Sequence, residues 1–139
     1  MFKKILFAYD GSEHSKRAAK ISGDLARMQA KAEIWLVCVM EVNPKQLKKP
    51  YIQEWKDAQK SAGEEFFAEA GKLIGKGVAI HNELLFGNAA VNILNLAEKQ
   101  KCDLIIMGAR GLSVFEGLLL GSQVHKVLSY ATCPVLAVK

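Results

Sequence analysis

Continuous apolar runs along this chain alternate with segments whose apolar residues recur at helical spacing. The runs cover Ile5 to Tyr9, Ile34 to Met40, Leu104 to Met107 and Val135 to Val138. Short runs of this kind are typical of strands that are buried on both faces of a parallel sheet. A further strand is predicted over Val78 to Leu85, and its polar residues favour an edge of the sheet over the centre.

Four helices are predicted between the strands, because apolar side chains there fall on one face with a period of about 3.6 residues. Ser12 is placed to cap the first helix, and Gly75 and Gly77 are placed to end the second. The stripes predicted to face the core are Ala18, Ile21, Leu25 and Met28; Ile52, Trp55, Ala62, Phe66 and Leu73; Ala90, Ile93, Leu94 and Ala97; and Val124, Val127, Leu128 and Ala131.

Strands that alternate with helices indicate an α/β fold, with a doubly wound, five-stranded parallel sheet and helices on both faces. We predict a single domain over residues 1–139. Right-handed crossovers and the polar third strand favour the strand order 3-2-1-4-5. The winding then reverses between strands one and four, so a crevice opens at their carboxyl ends, where such folds bind ligands. Asp10 follows strand one and Gly108 follows strand four, so two separate segments meet at this crevice.

Composition narrows the range of partners. The net charge of +5 suits an anionic ligand, but Lys45, Lys48 and Lys49 form the only dense basic cluster, and nucleic acid is not an expected partner. The apolar runs are too short for a membrane span or a signal peptide, so we expect no membrane partner and a cytoplasmic location. The three cysteines are far apart in sequence and form no CxxC pair. We interpret them as small buried hydrophobes in a reducing compartment.

The stretch MGARGLSVFEGLLLGSQ, residues 107–123, holds four glycines directly after the fourth strand. Gly108 and Gly111 allow backbone conformations that other residues avoid, and they let a ligand approach the main chain. Gly121 and Ser122 begin the fourth helix, whose unpaired N–H groups and dipole favour an anion. Arg110 adds a positive charge between the first two glycines. Together these residues predict a phosphate cradle.

The familiar nucleotide motifs are absent, since neither GxxxxGK[ST] nor GxGxxG occurs. The spacing Gly108-x2-Gly111-x9-Gly121-Ser122 instead resembles the nucleotide-binding signature of the universal stress protein family, in its ATP-binding branch. The resemblance extends over nearly the whole chain and includes ILFAYDGS, DLIIMGARG and GSQVHKVLSYATCPVLAVK. It implies the version of the doubly wound fold that is called adenine nucleotide alpha hydrolase-like.

The resemblance also implies an adenine nucleotide, ATP or a relative of it, in the crevice. Asp10 would lie at the ribose, the main chain of Val39 would meet the adenine, and the glycines with Ser122 would hold the phosphates. Ala8 and Met107 would line the base and the sugar. The full set of candidate ligand-binding residues is Ala8, Tyr9, Asp10, Val39, Met107, Gly108, Arg110, Gly111, Gly121, Ser122 and Gln123.

Some of these residues also have purely structural explanations. Asp10 is a candidate helix-start residue that local N–H groups stabilise, and Ser122 is a candidate helix cap. Arg110 is equally compatible with a side chain that points to solvent. The three histidines are scattered along the chain, and surface or packing roles explain them better than catalysis.

Enzyme and binding protein are harder to separate from sequence. Phosphoryl transfer needs a positioned base or water-orienting group and usually a metal ion held by acidic side chains. Near the predicted cradle only Asp10 and Glu116 are acidic, and the loop has no lysine. We therefore favour a regulatory nucleotide-binding protein of a stress response, with at most slow ATP hydrolysis and with Mg²⁺ or Mn²⁺ carried by the phosphates. A nucleotide-free interaction module of the same fold, and a hydrolase or nucleotidyl transferase, remain as alternatives.

The fifth predicted strand, Val135 to Val138, forms an edge of the sheet and is free of charge until Lys139. An uncovered edge of this kind leaves main-chain groups unpaired, and a second copy can satisfy them. We therefore expect a two-fold homodimer in which the two fifth strands pair antiparallel, which the family resemblance also implies. The apolar segment Val114 to Leu120 is the second candidate for the interface.

Overall fold

The computed structural model describes residues 1–41, 51–111 and 119–139, in which five strands and four helices alternate. The strands are β1 (Lys4–Ala8), β2 (Glu33–Met40), β3 (Ala79–Phe86), β4 (Leu104–Gly108) and β5 (Val135–Val138). The helices are α1 (Glu13–Arg27), α2 (Ile52–Ile74), α3 (Ala89–Lys99) and α4 (Ser122–Tyr130). The predicted basic cluster Lys45, Lys48 and Lys49, Glu116, and most of the segment Val114 to Leu120 lie outside the described residues.

The strands form one parallel sheet in the order β3-β2-β1-β4-β5, which confirms the predicted fold and order. β1 lies in the centre, between β2 and β4. Ala8, the last residue of β1, pairs with Val37 on one side and with Met107 on the other. The crevice that the reversal of winding predicts therefore lies directly beyond Ala8.

Two apolar clusters cover the two faces of the sheet. α1 and α2 pack over one face, towards which Phe7 points. α3 and α4 pack over the other face, towards which Leu6 points. Because both faces of β1 are covered, Ile5, Leu6 and Phe7 are all fully buried. Burial on both faces explains why this strand is a continuous apolar run instead of an alternating one.

The buried face of α1 differs from the predicted stripe. Two residues of that stripe are exposed, Ile21 to 36% and Met28 to 80% of their surface. A β-carbon on Gly23 would lie only 2.1 Å from the carbonyl oxygen of Ile74 at the end of α2. The two helices therefore approach too closely for large side chains, and small residues take the buried positions. These are Ser15, Ala18, Ala19, Ser22, Gly23 and Ala26.

α2 is the longest helix, with 23 residues, and it ends on glycine as predicted. Gly75 and Gly77 have φ angles of +86° and +84°, which side chains disfavour. The predicted core positions Leu73 in α2 and Leu128 in α4 are in fact exposed, to 37% and 41%. Within the three described ranges, no helix is both long enough and apolar enough to cross a membrane.

β3 lies at one edge of the sheet, which confirms the position that its polar residues predict. His81 Nε2 lies 3.0 Å from Glu33 Oε2 on the neighbouring strand. The His81 ring also stacks on Trp35, with 4.5 Å between the ring centroids. This histidine is therefore engaged in contacts between β2 and β3, far from the carboxyl ends of the strands.

The three cysteines are free thiols in two different places. Cys38 belongs to the cluster beneath α1 and α2, whereas Cys102 and Cys133 belong to the cluster beneath α3 and α4. Cys38 and Cys102 are buried, as predicted. Cys133 is only half-buried, because it precedes the edge strand β5, which has a neighbour on one side alone.

Candidate functional site

A cavity of about 350 Å³ lies at the carboxyl ends of β1, β2 and β4, where the starts of α3 and α4 complete its wall. Small-molecule pockets typically have volumes of roughly 300–1,000 Å³. The position is the point at which the sheet reverses its winding. The cavity is lined by Ala8, Tyr9, Asp10, Ser15, Val37, Cys38, Val39, Met40, Glu41, Phe66, Ala89, Ile93, Met107, Gly108, Gly111, Gly121, Ser122, Gln123 and Val124.

Every predicted site residue except Arg110 lines this cavity. The side chain of Arg110 turns towards α1 instead, with Nη2 3.4 Å from His14 Nε2. The carbonyl oxygen of Arg110 accepts a hydrogen bond from Ser12 Oγ at 3.3 Å. Arg110 therefore supports the start of α1, and the structure does not bring its charge to the cavity.

The turn between β1 and α1 holds Asp10 at the edge of the cavity. Asp10 Oδ1 accepts a hydrogen bond from the main-chain N–H of Ser12 at 2.9 Å, which forms an Asx turn. Ser12 Oγ in turn accepts from the N–H of Ser15 at 3.2 Å and caps α1, as predicted. The helix-start explanation of Asp10 thus accounts for Oδ1. Asp10 is exposed, and Oδ2 is the oxygen that this turn leaves available to a ligand.

Close packing within the chain explains Gly108 and Gly111. Neither has a positive φ angle, so the conformational role predicted for them is wrong. A β-carbon on Gly108 would lie 2.8 Å from the amide nitrogen of Ser15, and one on Gly111 would lie 2.8 Å from Asp10 Oδ2. The missing side chains let β4 pack against the first turn of α1 and let the Asp10 carboxylate lie beside Gly111.

α4 begins at the cavity wall without a side-chain cap. Gly121 is its N-cap residue, with φ −70° and ψ 158°. The first hydrogen bond of the helix runs from the N–H of His125 to the carbonyl oxygen of Gly121, at 3.0 Å. The N–H groups of Ser122, Gln123 and Val124 precede it, so they have no acceptor in the helix. Together with the helix dipole they form a positively polarised surface at the cavity.

Gln123 connects the start of α4 with the start of α3. Its Oε1 accepts a hydrogen bond from the N–H of Ala90 at 2.9 Å. Asn88 Oδ1 accepts from the N–H of Val91 at 3.0 Å and caps α3. Two side chains therefore satisfy the first turn of α3. Gln123, which the sequence places near the phosphates, lines the cavity but already has a partner within the protein for its Oε1.

The main chain of Val39 faces the cavity from β2. The N–H of Tyr9 donates to the carbonyl oxygen of Val37 at 2.9 Å, so the main chain of Val37 points towards β1. Main-chain groups two residues apart in a strand point to the same side. Those of Val39 therefore also point to the β1 side, one step beyond the end of β1. They lie where a ligand in the cavity can reach them.

The sequence reasoning missed the contributions of α2 and of the end of β2. Phe66 lines the cavity and packs edge-on against Tyr9, with 5.9 Å between the ring centroids. Its helical spacing predicts only a core position, and nothing in that spacing indicates a second role. Glu41 also lines the cavity. Glu41 directly follows the carboxyl end of β2, where the crevice opens, and this position in the sequence could have identified it as a candidate site residue.

Two titratable side chains near the cavity are held neutral. The Tyr9 hydroxyl donates to Glu69 Oε1, and burial, followed by that bond, raises the pKa of Tyr9. Burial, with the positive charges of Arg110 and Arg17 nearby, lowers the pKa of His14, although Asp10 acts in the opposite direction. Near pH 7, Tyr9 is thus a phenol and His14 is an uncharged imidazole.

The lining of the cavity carries two carboxylates, Asp10 and Glu41, and the described residues bring no lysine or arginine to it. A bound anion would therefore depend on main-chain N–H groups and hydroxyls. Nowhere in the described ranges do three or more His, Cys, Asp or Glu side chains come together so that they could hold a metal ion. A cation in the cavity would take most of its coordination from ligand oxygens and water.

Comparison with known proteins gives a family match over the full length of the chain. The model of the universal stress protein family matches residues 1–139. A universal stress protein of Thermus aquaticus is 42% identical over 140 residues, and the alignment covers 100% of both chains. The solved structure of the hypothetical protein MJ0577 is 27% identical, covers 100% of this chain and 96% of its own, and superposes with a TM-score of 0.91.

Two further solved structures contain nucleotides. A universal stress protein in complex with cAMP is 23% identical, with a TM-score of 0.72, and covers 99% of this chain and 97% of its own. The universal stress protein from Archaeoglobus fulgidus in complex with dAMP is 19% identical, with a TM-score of 0.71, and covers 100% of this chain and 98% of its own. At these identities the two structures share the fold with this chain. Because the family model and the Thermus aquaticus relative match from end to end, the chain belongs to the universal stress protein family.

Proposed function

We propose that this protein binds an adenine nucleotide, ATP or a close relative of it, and acts as a regulatory module in a stress response. The observation that carries the proposal is the uncapped start of α4 at the wall of the cavity. Free N–H groups and the positive end of a helix dipole are suited to a phosphate. The cAMP and dAMP complexes of two family members support an adenine nucleotide as the ligand class.

The phosphates would lie between Gly111 and the first turn of α4. A β-carbon on Gly121 would be 3.5 Å from its nearest described neighbour, an ordinary contact. The φ angle of −70° at Gly121 is also accessible to every residue. The described protein thus gives no reason for glycine at this position. A ligand that approaches the main chain provides one, and the exposed Ser122 beside it adds a hydroxyl donor.

The base and the sugar would lie towards β1 and β2. The N–H and C=O groups of Val39 match the N1 acceptor and the N6 donor of adenine, while Ala8 and Met107 supply apolar contacts. Guanine presents the reversed pattern and would leave buried groups unpaired, at a cost of about 1–3 kcal/mol for each. Asp10 Oδ2 is the acceptor that we assign to the ribose hydroxyls.

Hydrolysis is expected to be slow, because the cavity holds few of the groups that phosphoryl transfer uses. Its carboxylates, Asp10 and Glu41, have no third acidic or histidine partner among the described residues with which to hold a metal ion. A Mg²⁺ or Mn²⁺ ion would be carried by the phosphates. Asp10 would be engaged at the ribose, and Gln123 Oε1 already accepts from the N–H of Ala90, so neither is free to orient an attacking water at the far phosphate.

Native mass spectrometry and titration calorimetry test the proposal together. In native mass spectrometry, the purified protein should carry a bound adenine nucleotide. In titration calorimetry, the nucleotide-free protein should bind ATP at least about tenfold more tightly than GTP, since about 1.4 kcal/mol corresponds to a factor of ten. Equal affinities would contradict the assignment of Val39 to the base. The absence of both a co-purified nucleotide and any heat with ATP would favour the nucleotide-free interaction module. Rapid turnover of ATP would favour a hydrolase.

We further propose that the protein forms a homodimer through β5. β5 is an edge strand, and Leu136 in it is exposed to 36%. The N–H of Ile105 donates to the carbonyl oxygen of Pro134 at 3.0 Å, so the main chain of residue 134 points inwards to β4. By the alternation of the strand, the main chain of Val135 points outwards. This outward N–H is available to a second copy across a two-fold axis.

Sedimentation of a double variant tests the dimer. Val135→Pro removes an outward donor without touching the bonds to β4, and Leu136→Lys places a charge opposite its own copy. The wild type should sediment as a dimer and the double variant as a monomer. Val91→Lys, on an exposed residue of α3, is the control and should stay dimeric. A monomeric wild type, or a dimeric double variant, would place the interface elsewhere, with Val114 to Leu120 as the next candidate.

A further inference from the structure

The segments that lead into β4 and β5 each carry a cysteine, at the end of the sheet opposite the cavity. Ile105 of β4 pairs with Val135 of β5. The N–H of Ile105 donates to the carbonyl oxygen of Pro134 at 3.0 Å, so the pairing holds to the start of both strands. Continued towards the amino-terminal end, this register places Cys133 one position out of step with Cys102.

The two thiols are close neighbours. Cys102 precedes β4, so the alternation of that strand does not set its direction, and after burial the Cys133 thiol is the next influence that raises the pKa of Cys102. Disulfides join α-carbons that are about 4.4–6.8 Å apart. Both side chains pack in the apolar cluster beneath α3 and α4. Cys102 is only 8% exposed, whereas Cys133 is half-buried and can be reached from solvent.

We propose that Cys102 and Cys133 form a reversible intramolecular disulfide when the protein meets a small-molecule disulfide such as oxidised glutathione. The Cys133 thiolate attacks one sulfur of that disulfide, forms a mixed disulfide and releases one glutathione thiolate. The Cys102 thiolate then attacks Cys133 Sγ, forms the protein disulfide and releases the second glutathione thiolate. Two protein thiols are oxidised, one glutathione disulfide is reduced to two thiols, and the protons of the cysteines pass to solvent or to the released thiolates.

The surroundings of the pair predict slow formation at neutral pH. Burial raises the pKa of Cys102 to about 11, and burial also raises the pKa of Cys133. Asp103 acts in the same direction on both thiols, Glu33 does so on Cys102, and Lys4 acts in the opposite direction on Cys102. Because the thiolate is the reactive form, the rate should rise about tenfold per pH unit between pH 7 and pH 9. The disulfide therefore forms slowly, unlike those of redox-sensor cysteines, whose thiol pKa values are lowered.

Oxidation of the full chain, followed by peptide mapping, tests the proposal. The folded protein is incubated with oxidised glutathione at pH 8, quenched with N-ethylmaleimide and digested for mass spectrometry. We expect a peptide pair joined through Cys102 and Cys133, with a mass lower than the sum of the two peptides by two hydrogens, and Cys38 unmodified by glutathione. Closure of the loop between the two cysteines should also raise the Tm by roughly 5–10 °C.

Three single variants separate the steps. Cys102→Ser should accumulate glutathione on Cys133, because the resolving thiol is missing. Cys133→Ser should leave Cys102 without glutathione, because Cys102 is buried. Cys38→Ser is the matched control, with a buried thiol in the other cluster, and should form the bridge at the wild-type rate. Wild-type protein that keeps glutathione on Cys133, that links to a second chain, or whose three thiols all stay reduced would overturn the proposal.

Discussion

The starts of α1 and α4 occupy equivalent places and are built in opposite ways. α1 follows β1 and α4 follows β4, the two strands that flank the crevice, and both helices begin on the side where the strands have their carboxyl ends. At α1, Ser12 caps the helix and Asp10 in turn accepts the N–H of Ser12. At α4, Gly121 brings no side chain to the N-cap position. The chain satisfies its own N–H groups at α1 and leaves those of α4 to another partner.

This difference shows where to look for a ligand in a doubly wound sheet. Both helices direct the positive end of a dipole to the crevice, so the dipole alone does not distinguish them. What distinguishes them is the supply of acceptors from the protein. α3, which begins beside the same cavity, follows α1, since Asn88 and Gln123 both accept from its first turn. Among these three helices, α4 alone begins without an acceptor from the described protein, and the variants below test that distinction.

The largest expected effect is on ligand affinity. Gly121→Val should weaken ATP binding at least about 100-fold, or about 2.7 kcal/mol, because the new methyl groups would occupy the space of a phosphate. Stability should fall by only about 1 kcal/mol, the cost of valine at an N-cap, because a β-carbon there meets no described atom closer than 3.5 Å. Calorimetric titration and urea unfolding measure the two quantities. Gly71→Val, with nothing within 4 Å of its β-carbon, is the control and should keep full affinity. Retained ATP binding in Gly121→Val would end the phosphate assignment.

The next effect is on stability, at the contact between β4 and α1. Gly108→Ala should destabilise the fold by about 1–3 kcal/mol, because its β-carbon would lie 2.8 Å from the Ser15 nitrogen and 2.9 Å from the His14 β-carbon. Chemical unfolding measures the loss. Gly71→Ala, in an open position of α2, should instead be neutral or stabilising by up to about 1 kcal/mol. Equal stabilities of the two variants would mean that β4 and α1 can move apart at no cost.

A smaller effect is expected at the cap of α1. Ser12→Ala should destabilise the protein by about 1 kcal/mol, because it removes the acceptor for the N–H of Ser15. Ser122→Ala is the matched change at α4, where the side chain is exposed and caps nothing in the described structure. It should leave stability within about 0.5 kcal/mol of wild type. If both variants lose the same stability, the two helix starts do not differ in the way described.

The smallest effect is expected from a variant that gives α4 a side-chain cap. Gly121→Ser should stabilise the free protein by a few tenths of a kcal/mol, about the difference between glycine and serine at an N-cap. The new hydroxyl would compete with the phosphate for the same N–H groups, so ATP affinity should fall by a few-fold. Gly71→Ser is the control, because a side chain there has free space, and it should change neither the stability nor the ATP affinity appreciably. Gly77→Ser would not serve, because the positive φ angle of Gly77 disfavours a side chain. An increase in ATP affinity for Gly121→Ser would contradict the competition.

Much of the architecture could be predicted from the sequence because burial on both faces leaves a strong pattern. The apolar runs marked the strands, and the polar residues of β3 marked an edge. The face of α1 was not predictable in the same way. Apolar periodicity favours Ile21 and Met28, but the packing distance between α1 and α2 selects alanine, serine and glycine. A pattern of hydrophobicity carries no information about how closely two helices approach.

The candidate site was also predictable only in part. The glycine spacing and the ends of the strands bring most of the predicted residues to one cavity. The direction of Arg110 was not predictable, because it depends on His14 from another segment. The conformational role predicted for Gly108 and Gly111 was also wrong. A sequence shows that a side chain is missing, but only the neighbours show whether a helix, a carboxylate or a ligand takes its place.

The main-chain amide of Ala90 is a suitable spectroscopic probe of the cavity, because its N–H donates a hydrogen bond to Gln123 Oε1. Ala90 belongs to α3, yet its N–H is held by a side chain from the first turn of α4. Any displacement of that turn stretches or releases this bond, whether or not α3 itself moves. In an amide spectrum of isotope-labelled protein, the Ala90 resonance would thus report on α4 from outside the phosphate position. Its exchange with deuterium would follow the opening of a contact that joins residues 33 positions apart in the chain.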